Sequence, residues 1–202
     1  MSHNTVINPL KIILLLFLIA SCSTLVEDKN INKNNVMYKI QSIDSNFSNL
    51  ETLLFVDIDT QSLLHIKKGT VLKYYSISSS YYGTGSRENS LKTPLGRHEI
   101  YKKIGNGLPN NAILKGRVWN GAIADIIVEP IDTDFDHVTS RILWLDGLEV
   151  GKNKGKGIDS RNRYIYIHGT AEEGLIGKPA SDGCIRMYNK DVIELFDLVD
   201  EK

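Results

Sequence analysis

Residues 164–187, YIYIHGTAEEGLIGKPASDGCIRM, decide how the rest of the sequence is interpreted. They open with an alternating run of aromatic and β-branched residues, 164–167, which favours a strand with His168 at its end. A Gly- and Pro-containing loop follows, and a second short segment then carries Cys184. The pattern predicts a thiol and an imidazole on loops at the edges of strands, where the two side chains can meet.

Cys184 and His168 together have the composition of a cysteine nucleophile and its base. A free thiol, with a pKa of about 8.5, is only a few per cent ionised at neutral pH, so it needs a neighbouring proton acceptor. The other cysteine, Cys22, lies near the amino terminus, and Cys184 therefore has no predicted disulfide partner. The alternative is a buried structural cysteine beside a histidine whose ring nitrogens are already hydrogen-bonded within the fold. Two neighbouring residues favour the catalytic interpretation. Gly183 leaves backbone N–H donors accessible, and the guanidinium of Arg186 can bind a carboxylate with two hydrogen bonds.

These residues resemble the signature of the L,D-transpeptidase (YkuD-type) family. In that family a His-Gly pair opens the catalytic block and Ser-His-Gly-Cys-x-Arg closes it; here the pair is His168-Gly169 and the closing block is 181–186. The resemblance runs from about residue 53 to 199 and includes the motif KTPLG at 92–96. One departure is visible: Asp182 occupies the position of the family's usual histidine before Gly-Cys. A carboxylate there opposes ionisation of the thiol if the two groups are close.

The resemblance implies a role for each site residue. Cys184 attacks a carbonyl in a peptidoglycan tetrapeptide stem, His168 takes the thiol proton, and the Gly169 carbonyl orients the imidazole. The N–H groups of Gly183 and Cys184 form an oxyanion hole, and Arg186 organises the cleft or holds a substrate carboxylate. The predicted oxyanion and substrate-binding residues are Ser181, Asp182, Gly183, Arg186, Thr93, Pro94 and Gly96.

The length and composition of the chain fit one ordinary domain. It has 202 residues, 42% of them hydrophobic, and a formal net charge of zero, which gives no reason to expect a nucleic-acid partner. No cluster of His, Cys and carboxylate residues has the spacing of a metal site, and no cofactor is expected. His65, His98 and His137 are interpreted as structural or surface histidines. The oligomeric state is not predicted.

The amino terminus predicts a lipid anchor. The apolar run 12–20 follows Lys11 and is far shorter than the roughly 20 residues that span a bilayer. It ends in Ile-Ala-Ser-Cys, which resembles a lipobox with Cys22 as the lipidated residue; an ordinary cleaved signal peptide is the alternative. The expected organisation is a signal peptide over 1–21, a polar tether over 22–51 and the catalytic domain over 52–202. The expected location is the outer membrane, facing the periplasm, since Ser23 rather than Asp follows the cysteine.

The predicted fold is mostly β, a barrel or sandwich of short strands with one C-terminal helix. Residues 36–43 of the tether have rough helical spacing, which leaves a short helix open. Residues 102–123 are interpreted as a long irregular segment, and Asn189 is expected to cap an amphipathic helix that ends near Val199. The predicted strands are 54–59, 62–66, 71–77, 97–101, 126–129 and 142–145, with a sharp turn at 93–96.

Three functions are compatible with these residues. A transferase passes the stem to an amine, and the long segments 102–123 and 132–159 favour this reading because they can supply a lid or an acceptor wall. A hydrolase (a carboxypeptidase or amidase) uses the same thiol with water. A non-catalytic envelope-binding lipoprotein would need none of Cys184, His168 and Arg186, yet all three are present. Penicillin-type serine chemistry is excluded, since no serine has a lysine three residues later.

Overall fold

The computed structural model describes residues 33–43 and 45–202. The predicted signal peptide, Cys22 and most of the tether lie outside these residues. The described residues divide into two compact units at Lys39, and every strand lies in the second, Ile40–Lys202. The helices are α1 (Lys33–Ile43) and α2 (Asn189–Leu198), with short 3₁₀ turns at Phe47–Asn49 and Glu173–Leu175. The strands are β1 (Leu53–Asp57), β2 (Ser62–Lys67), β3 (Thr70–Ser78), β4 (His98–Ile104), β5 (Ala112–Lys115), β6 (Val118–Ile123), β7 (Val138–Gly147), β8 (Tyr166–Thr170) and β9 (Ile185–Met187).

The first three strands form the antiparallel meander that the sequence predicts. β1 pairs with β2 from Leu53 opposite Ile66 to Asp57 opposite Ser62, and β2 pairs with β3. The turn between β2 and β3 consists of Lys68 and Gly69, both with positive φ (46° and 73°), which is the two-residue turn that matches strand twist.

The strands continue into one sheet in the order β1-β2-β3-β9-β8-β7-β5-β6, with β4 also paired to β7. β8 lies in the interior of this sheet, antiparallel to β7 and parallel to β9. The strand predicted at 164–167 begins later, at Tyr166, because Tyr164 has a φ of 57° and belongs to the preceding turn. As a result, His168 lies within the strand and not at its end.

The main core lies between one face of the sheet and α2. Val192, Leu195 and Phe196 of the helix are buried there, as the apolar stripe predicts. The cap prediction is wrong: Tyr188 is the residue before the first turn, and the helix has no side-chain cap. Asn189 is buried instead, and its side chain bonds across to the sheet.

Two further predictions are wrong. Residues 102–123 are not irregular: β4 extends to Ile104, and β5 and β6 form a hairpin. All six residues of β6 are exposed, so the strand shows no alternation between apolar and polar positions in the sequence. Residues 126–129 do not form a strand; there the Ile127 N–H donates to the Ala171 carbonyl, and the Ile127 carbonyl accepts from Gly174 N–H.

The fold class is confirmed as mostly β with a C-terminal helix. The strands form one branched sheet, and α1 is a second helix within the region that was expected to be a tether. No helix within residues 33–43 and 45–202 is long and apolar enough to cross a membrane.

Candidate active site

The candidate nucleophile and base lie on neighbouring parallel strands. In the β8–β9 ladder, His168 is opposite Arg186. Because side chains alternate between the faces of a strand, Cys184 shares its face with Arg186 and therefore with His168. The opposite face carries Ile167 and Ile185, which pack in the core that contains α2. The sheet register therefore brings the thiol and the imidazole to one surface.

The Cys184 sulfur lies against the backbone that enters β8. The thiol is free of any disulfide and partly buried. The sulfur accepts a hydrogen bond from Tyr166 N–H at 3.4 Å and donates to the Tyr164 carbonyl at 3.5 Å. Among the described contacts, no hydrogen bond joins this sulfur to His168. In this arrangement the sulfur is bonded to the backbone of Tyr164 and Tyr166 and not to the imidazole.

The Gly169 carbonyl fixes the orientation of His168. His168 is fully buried, and its Nδ1 lies 2.7 Å from the carbonyl oxygen of Gly169. A carbonyl only accepts, so Nδ1 carries the proton and Nε2 is left as the acceptor that a base requires. Gly169 has no room for a side chain, since a Cβ there would lie 2.5 Å from Asn189 Oδ1 and 2.8 Å from the Thr139 carbonyl.

Burial sets the resting protonation of both groups. Loss of solvent raises the pKa of Cys184 to about 12, and Asp136 adds to this rise, while the Tyr166 N–H bond, Arg186 and Arg163 oppose it. Burial lowers the pKa of His168, against smaller opposing effects of Asp136 and the Gly169 bond. At neutral pH the pair therefore rests as thiol and neutral imidazole, which is the state from which a base can take the thiol proton.

Arg186 is committed to two carboxylates. Its guanidinium is 2% exposed and contacts Glu172 at 2.9 Å and Asp136 at 2.8 Å. Glu172 also accepts bonds from the N–H (2.7 Å) and hydroxyl (2.6 Å) of Thr133. These contacts tie segment 133–136 to the β9 strand beside the nucleophile. Of the two roles expected for Arg186, the geometry favours organising the cleft.

Ser181 and Thr93 brace the loop that carries the nucleophile. The Ser181 hydroxyl donates to the Cys184 carbonyl at 2.6 Å and accepts from Gly183 N–H at 3.2 Å. The Thr93 hydroxyl donates to the Gly183 carbonyl at 3.0 Å. The KTPLG motif therefore does reach the nucleophile loop, through Thr93. Because Gly183 N–H already has a partner, a substrate oxyanion must share or replace that bond.

The other two predicted motif residues are placed differently. Pro94 is buried next to Thr93. Gly96 packs against Glu149 and Asn153, where an added Cβ would lie 2.2 Å from the Glu149 carboxylate. This position supports the turn into β4, and the contacts give Gly96 no part in the nucleophile loop.

An acidic cleft of about 440 Å³ adjoins the nucleophile loop. Asp182 lines it, and its side chain is exposed without a hydrogen bond or ion pair to the described residues. An aspartate in such a turn usually bonds a nearby backbone N–H, but Asp182 does not. Partial loss of solvent raises the pKa of Asp182, and Asp136 raises it further. The cleft is lined by Tyr81, Tyr82, Asp132, Thr133, Asp134, Asp136, Ala180, Asp182 and Arg186.

We expect Asp182→His to retain activity within about tenfold of the wild type, because no contact ties Asp182 to Cys184 or His168. The measurement is the rate at which saturating ertapenem acylates Cys184 at neutral pH. Asp134→His, at another carboxylate that lines the cleft, is the matched control for a change of local charge. A loss as large as that of a nucleophile variant would contradict the prediction and assign Asp182 a catalytic role.

Several residues at the site have no signal in the sequence. Arg163 donates to the carbonyls of Gly85 (3.2 Å) and Lys92 (2.7 Å) and thereby holds the loop that packs on Gly183. Glu172 adjoins another acid, Glu173, and Asp136 ends the run DTDFD at 132–136, so nothing in the sequence distinguishes either carboxylate from its neighbours. A buried arginine on a strand does predict carboxylate partners, but it does not say which acids they are. Within the described residues, no group of three or more His, Cys, Asp or Glu side chains is arranged to hold a metal ion.

Comparison with known proteins identifies relatives of this chain. Residues 51–202 match the model of the YkuD family, described as the L,D-transpeptidase catalytic domain. The chain is similar to two proteins of Bacillus subtilis (strain 168), YkuD and YqjB, whose names place them among the L,D-transpeptidases. It is 64% identical to YkuD over 37 residues (18% of this chain, 23% of YkuD) and 51% identical to YqjB over 45 residues (22% and 24%). The chain therefore spans about a quarter of the length of these relatives.

Solved structures also resemble the chain. An L,D-transpeptidase from Mycobacterium smegmatis is 16% identical, with 75% of this chain and 55% of that chain covered at a TM-score of 0.43. The catalytic domain of an E. faecium L,D-transpeptidase acylated by ertapenem is 19% identical, with 74% and 91% covered at a TM-score of 0.42.

Proposed function

Because the chain belongs to the L,D-transpeptidase catalytic domain family, we propose that it is a cysteine acyltransferase acting on peptidoglycan stem peptides. The substrate is a tetrapeptide stem, and the bond broken joins its third residue, a diamino acid, to the terminal D-Ala. Cys184 is the nucleophile and His168 is the base.

The reaction proceeds in two halves. The Cys184 sulfur attacks the carbonyl of the third residue while His168 Nε2 takes the thiol proton; the amide C–N bond then breaks and the imidazolium protonates the departing D-Ala amine. An amine next attacks the thioester carbonyl, the C–S bond breaks, and the thiol regains a proton. The Cys184 N–H, and the Gly183 N–H once it leaves Ser181, are the donors proposed for the oxyanion.

One observation supports this proposal above the others. The parallel β8–β9 register puts Cys184 and His168 on one face, and the Gly169 carbonyl leaves Nε2 of His168 unprotonated. A structural cysteine needs neither the matching face nor the fixed tautomer. A non-catalytic envelope-binding lipoprotein is therefore the weaker reading.

Transfer and hydrolysis share the thioacyl enzyme and differ in what attacks it. Leu114 of the β5–β6 hairpin packs in the cluster with Tyr166 and Cys184, which limits water near the thioester and favours transfer. With a purified tetrapeptide stem and a second stem as the amine acceptor, we expect D-Ala release and a joined product whose yield rises with acceptor concentration. Mass spectrometry of the products is the measurement. If the stem is only hydrolysed with every acceptor tested, the hydrolase reading replaces the transferase.

We further propose that the protein is anchored by lipid at Cys22, in the outer membrane and facing the periplasm, with peptidoglycan as its partner. Cys22→Ala should abolish lipidation and tight attachment, because the acyl chains supply about 0.8 kcal/mol per buried CH₂. Fractionation of wild type and variant, with the intact mass of each, is the measurement. A wild-type protein that is processed without lipid and released in soluble form would contradict the anchor.

A further inference from the structure

The β5–β6 hairpin lies over the face of the sheet that carries the nucleophile. Leu114, buried on β5, packs in a cluster with Ile142 and Tyr166, and Cys184 packs against the same cluster. The hairpin is paired to the rest of the sheet at a single position, Ile113 opposite Thr139. Its second strand, β6, is exposed at all six residues. The hairpin thus shares a cluster with the thiol through Leu114, and strand pairing joins it to the rest of the sheet at one position.

Arg117 lies at the tip of this hairpin and contacts three aromatic side chains. Its guanidinium donates to the Tyr166 hydroxyl at 3.1 Å. It also stacks over the rings of Trp144 and Tyr164, at 4.8 Å and 4.9 Å from their centroids. The turn consists of Gly116 and Arg117, with φ of 56° and 69°, a geometry that favours Gly or Asn at both positions. An arginine is therefore disfavoured by the local backbone, and its side-chain contacts are what offset that cost.

The residues that Arg117 holds are the ones that flank the sulfur. Tyr166 gives its N–H to the Cys184 sulfur, and the Tyr164 carbonyl accepts from the thiol. The Trp144 ring packs on both tyrosine rings, at 5.7 Å and 5.8 Å, and completes the platform under the guanidinium. One side chain on the hairpin is thereby connected to both backbone contacts of the nucleophile.

We propose that the β5–β6 hairpin is a roof over Cys184 and that Arg117 is a positioning residue that holds it closed on the thioacyl enzyme. Closed, the roof keeps water from the thioester carbonyl, so that an amine entering from the acidic cleft completes the reaction. Open, it lets water attack, the C–S bond breaks, and the stem leaves as a free acid. This assignment rests on the proposed acyltransferase function and adds to it the residue that decides between amine and water.

Three variants separate the contacts of Arg117 from the fold of the hairpin. Arg117→Gly removes the guanidinium and at the same time favours the turn, since glycine adopts positive φ without strain. Arg117→Lys keeps the charge but loses the planar stack and part of the hydrogen bonding. Lys115→Ala removes a neighbouring exposed cation from the same hairpin and is the matched control. Thermal melting of each full-length variant confirms that it is folded.

The first readout does not depend on the substrate: the rate at which iodoacetamide alkylates Cys184 at a fixed neutral pH, followed on the peptide that contains this residue. Loss of one charged hydrogen bond and two cation–ring contacts should raise the rate by about fivefold to thirtyfold in Arg117→Gly. Arg117→Lys should lie between Arg117→Gly and the wild type, and Lys115→Ala should match the wild type. If Arg117→Gly is alkylated at the wild-type rate, Arg117 does not hold the hairpin closed and the proposal is overturned.

The second readout is the ratio of joined product to hydrolysed stem at one acceptor concentration. We expect this ratio to fall in Arg117→Gly by a factor similar to the rise in alkylation, and to recover in part in Arg117→Lys. If Arg117→Gly is alkylated faster but keeps the wild-type ratio of joined to hydrolysed product, the hairpin does not exclude water from the thioester, and that part of the proposal is overturned. If the wild type forms no thioacyl enzyme with any stem, the proposed function fails, while the alkylation series still decides whether Arg117 holds the hairpin.

Discussion

Cys184→Ser should abolish covalent acylation of the protein, by at least about 10³-fold in rate, because a serine hydroxyl is a far weaker acid and nucleophile than a thiol. The burial that raises the pKa of Cys184 to about 12 would raise the barrier to ionising a hydroxyl still further. The substitution keeps the size of the side chain and leaves the bonds of Ser181 to the loop intact. Loss of activity with a preserved fold is thus the expected outcome.

The probe for acylation is a carbapenem, ertapenem. We expect one adduct on the full-length wild type, located by peptide mass at Cys184, and none on Cys184→Ser. Cys22→Ala is the matched control, because it removes the other cysteine and should leave the adduct unchanged. An adduct that persists on Cys184→Ser would place the nucleophile elsewhere.

His168→Ala should slow acylation by roughly 10²- to 10⁴-fold, the usual contribution of a positioned proton acceptor. The thiol at neutral pH is almost fully protonated, so the variant must rely on the small fraction of thiolate. Acylation rates from stopped mass-spectrometric time courses give the measurement. His98→Gln, which alters a histidine bonded to Gly96 and Ser160, is the control and should retain the wild-type rate. A loss below tenfold in His168→Ala would remove His168 from the role of base.

The wild type and His168→Ala should also differ in how the acylation rate depends on pH. In the wild type, the rate should fall only as the pH drops through the pKa of His168, which burial holds below the ordinary value of about 6.5. Activity should therefore persist into mildly acidic solution. In His168→Ala, the rate should instead rise by about tenfold per pH unit toward the pKa of Cys184, near 12. A variant whose rate is flat between pH 7 and 9 would contradict this assignment.

The strand that carries His168 and the glycine-flanked segment that carries Cys184 were predictable because they depend on short-range pattern. An alternating run before His168, and glycine beside Cys184, are local features that specify strand and loop wherever the segment lies. The face shared by the two side chains depends in addition on the β8–β9 register, which local pattern does not give. The start of β8 was not predictable from the sequence. Tyr164 has a positive φ in a turn that is determined by tertiary contacts and not by local residue preference.

The electrostatic setting of the site was not predictable from sequence. Arg186 meets Glu172 and Asp136 because two segments far apart in the sequence, one after β8 and one before β7, both reach β9. Asn189 has the composition of a helix cap, yet it donates to the Thr170 carbonyl and accepts from the hydroxyl of Thr139, since the sheet offered better partners than the helix end. The β5–β6 hairpin was missed for two reasons. The exposed strand β6 lacks the alternation of apolar and polar residues that predicts a strand, and the turn has an arginine at a position where glycine is usual.

The parallel pairing of β8 with β9 limits how the chain can change in length. Parallel neighbours cannot be joined by a tight turn, so the crossover 171–184 both links the strands and forms a wall of the cleft. Since side chains alternate along a strand, inserting a single residue between Cys184 and Ile185 would turn Cys184 toward the helix-packed core. A one-residue insertion that a surface loop tolerates would here take the thiol away from His168, so the junction of the crossover with β9 is the place to leave untouched when the protein is re-engineered.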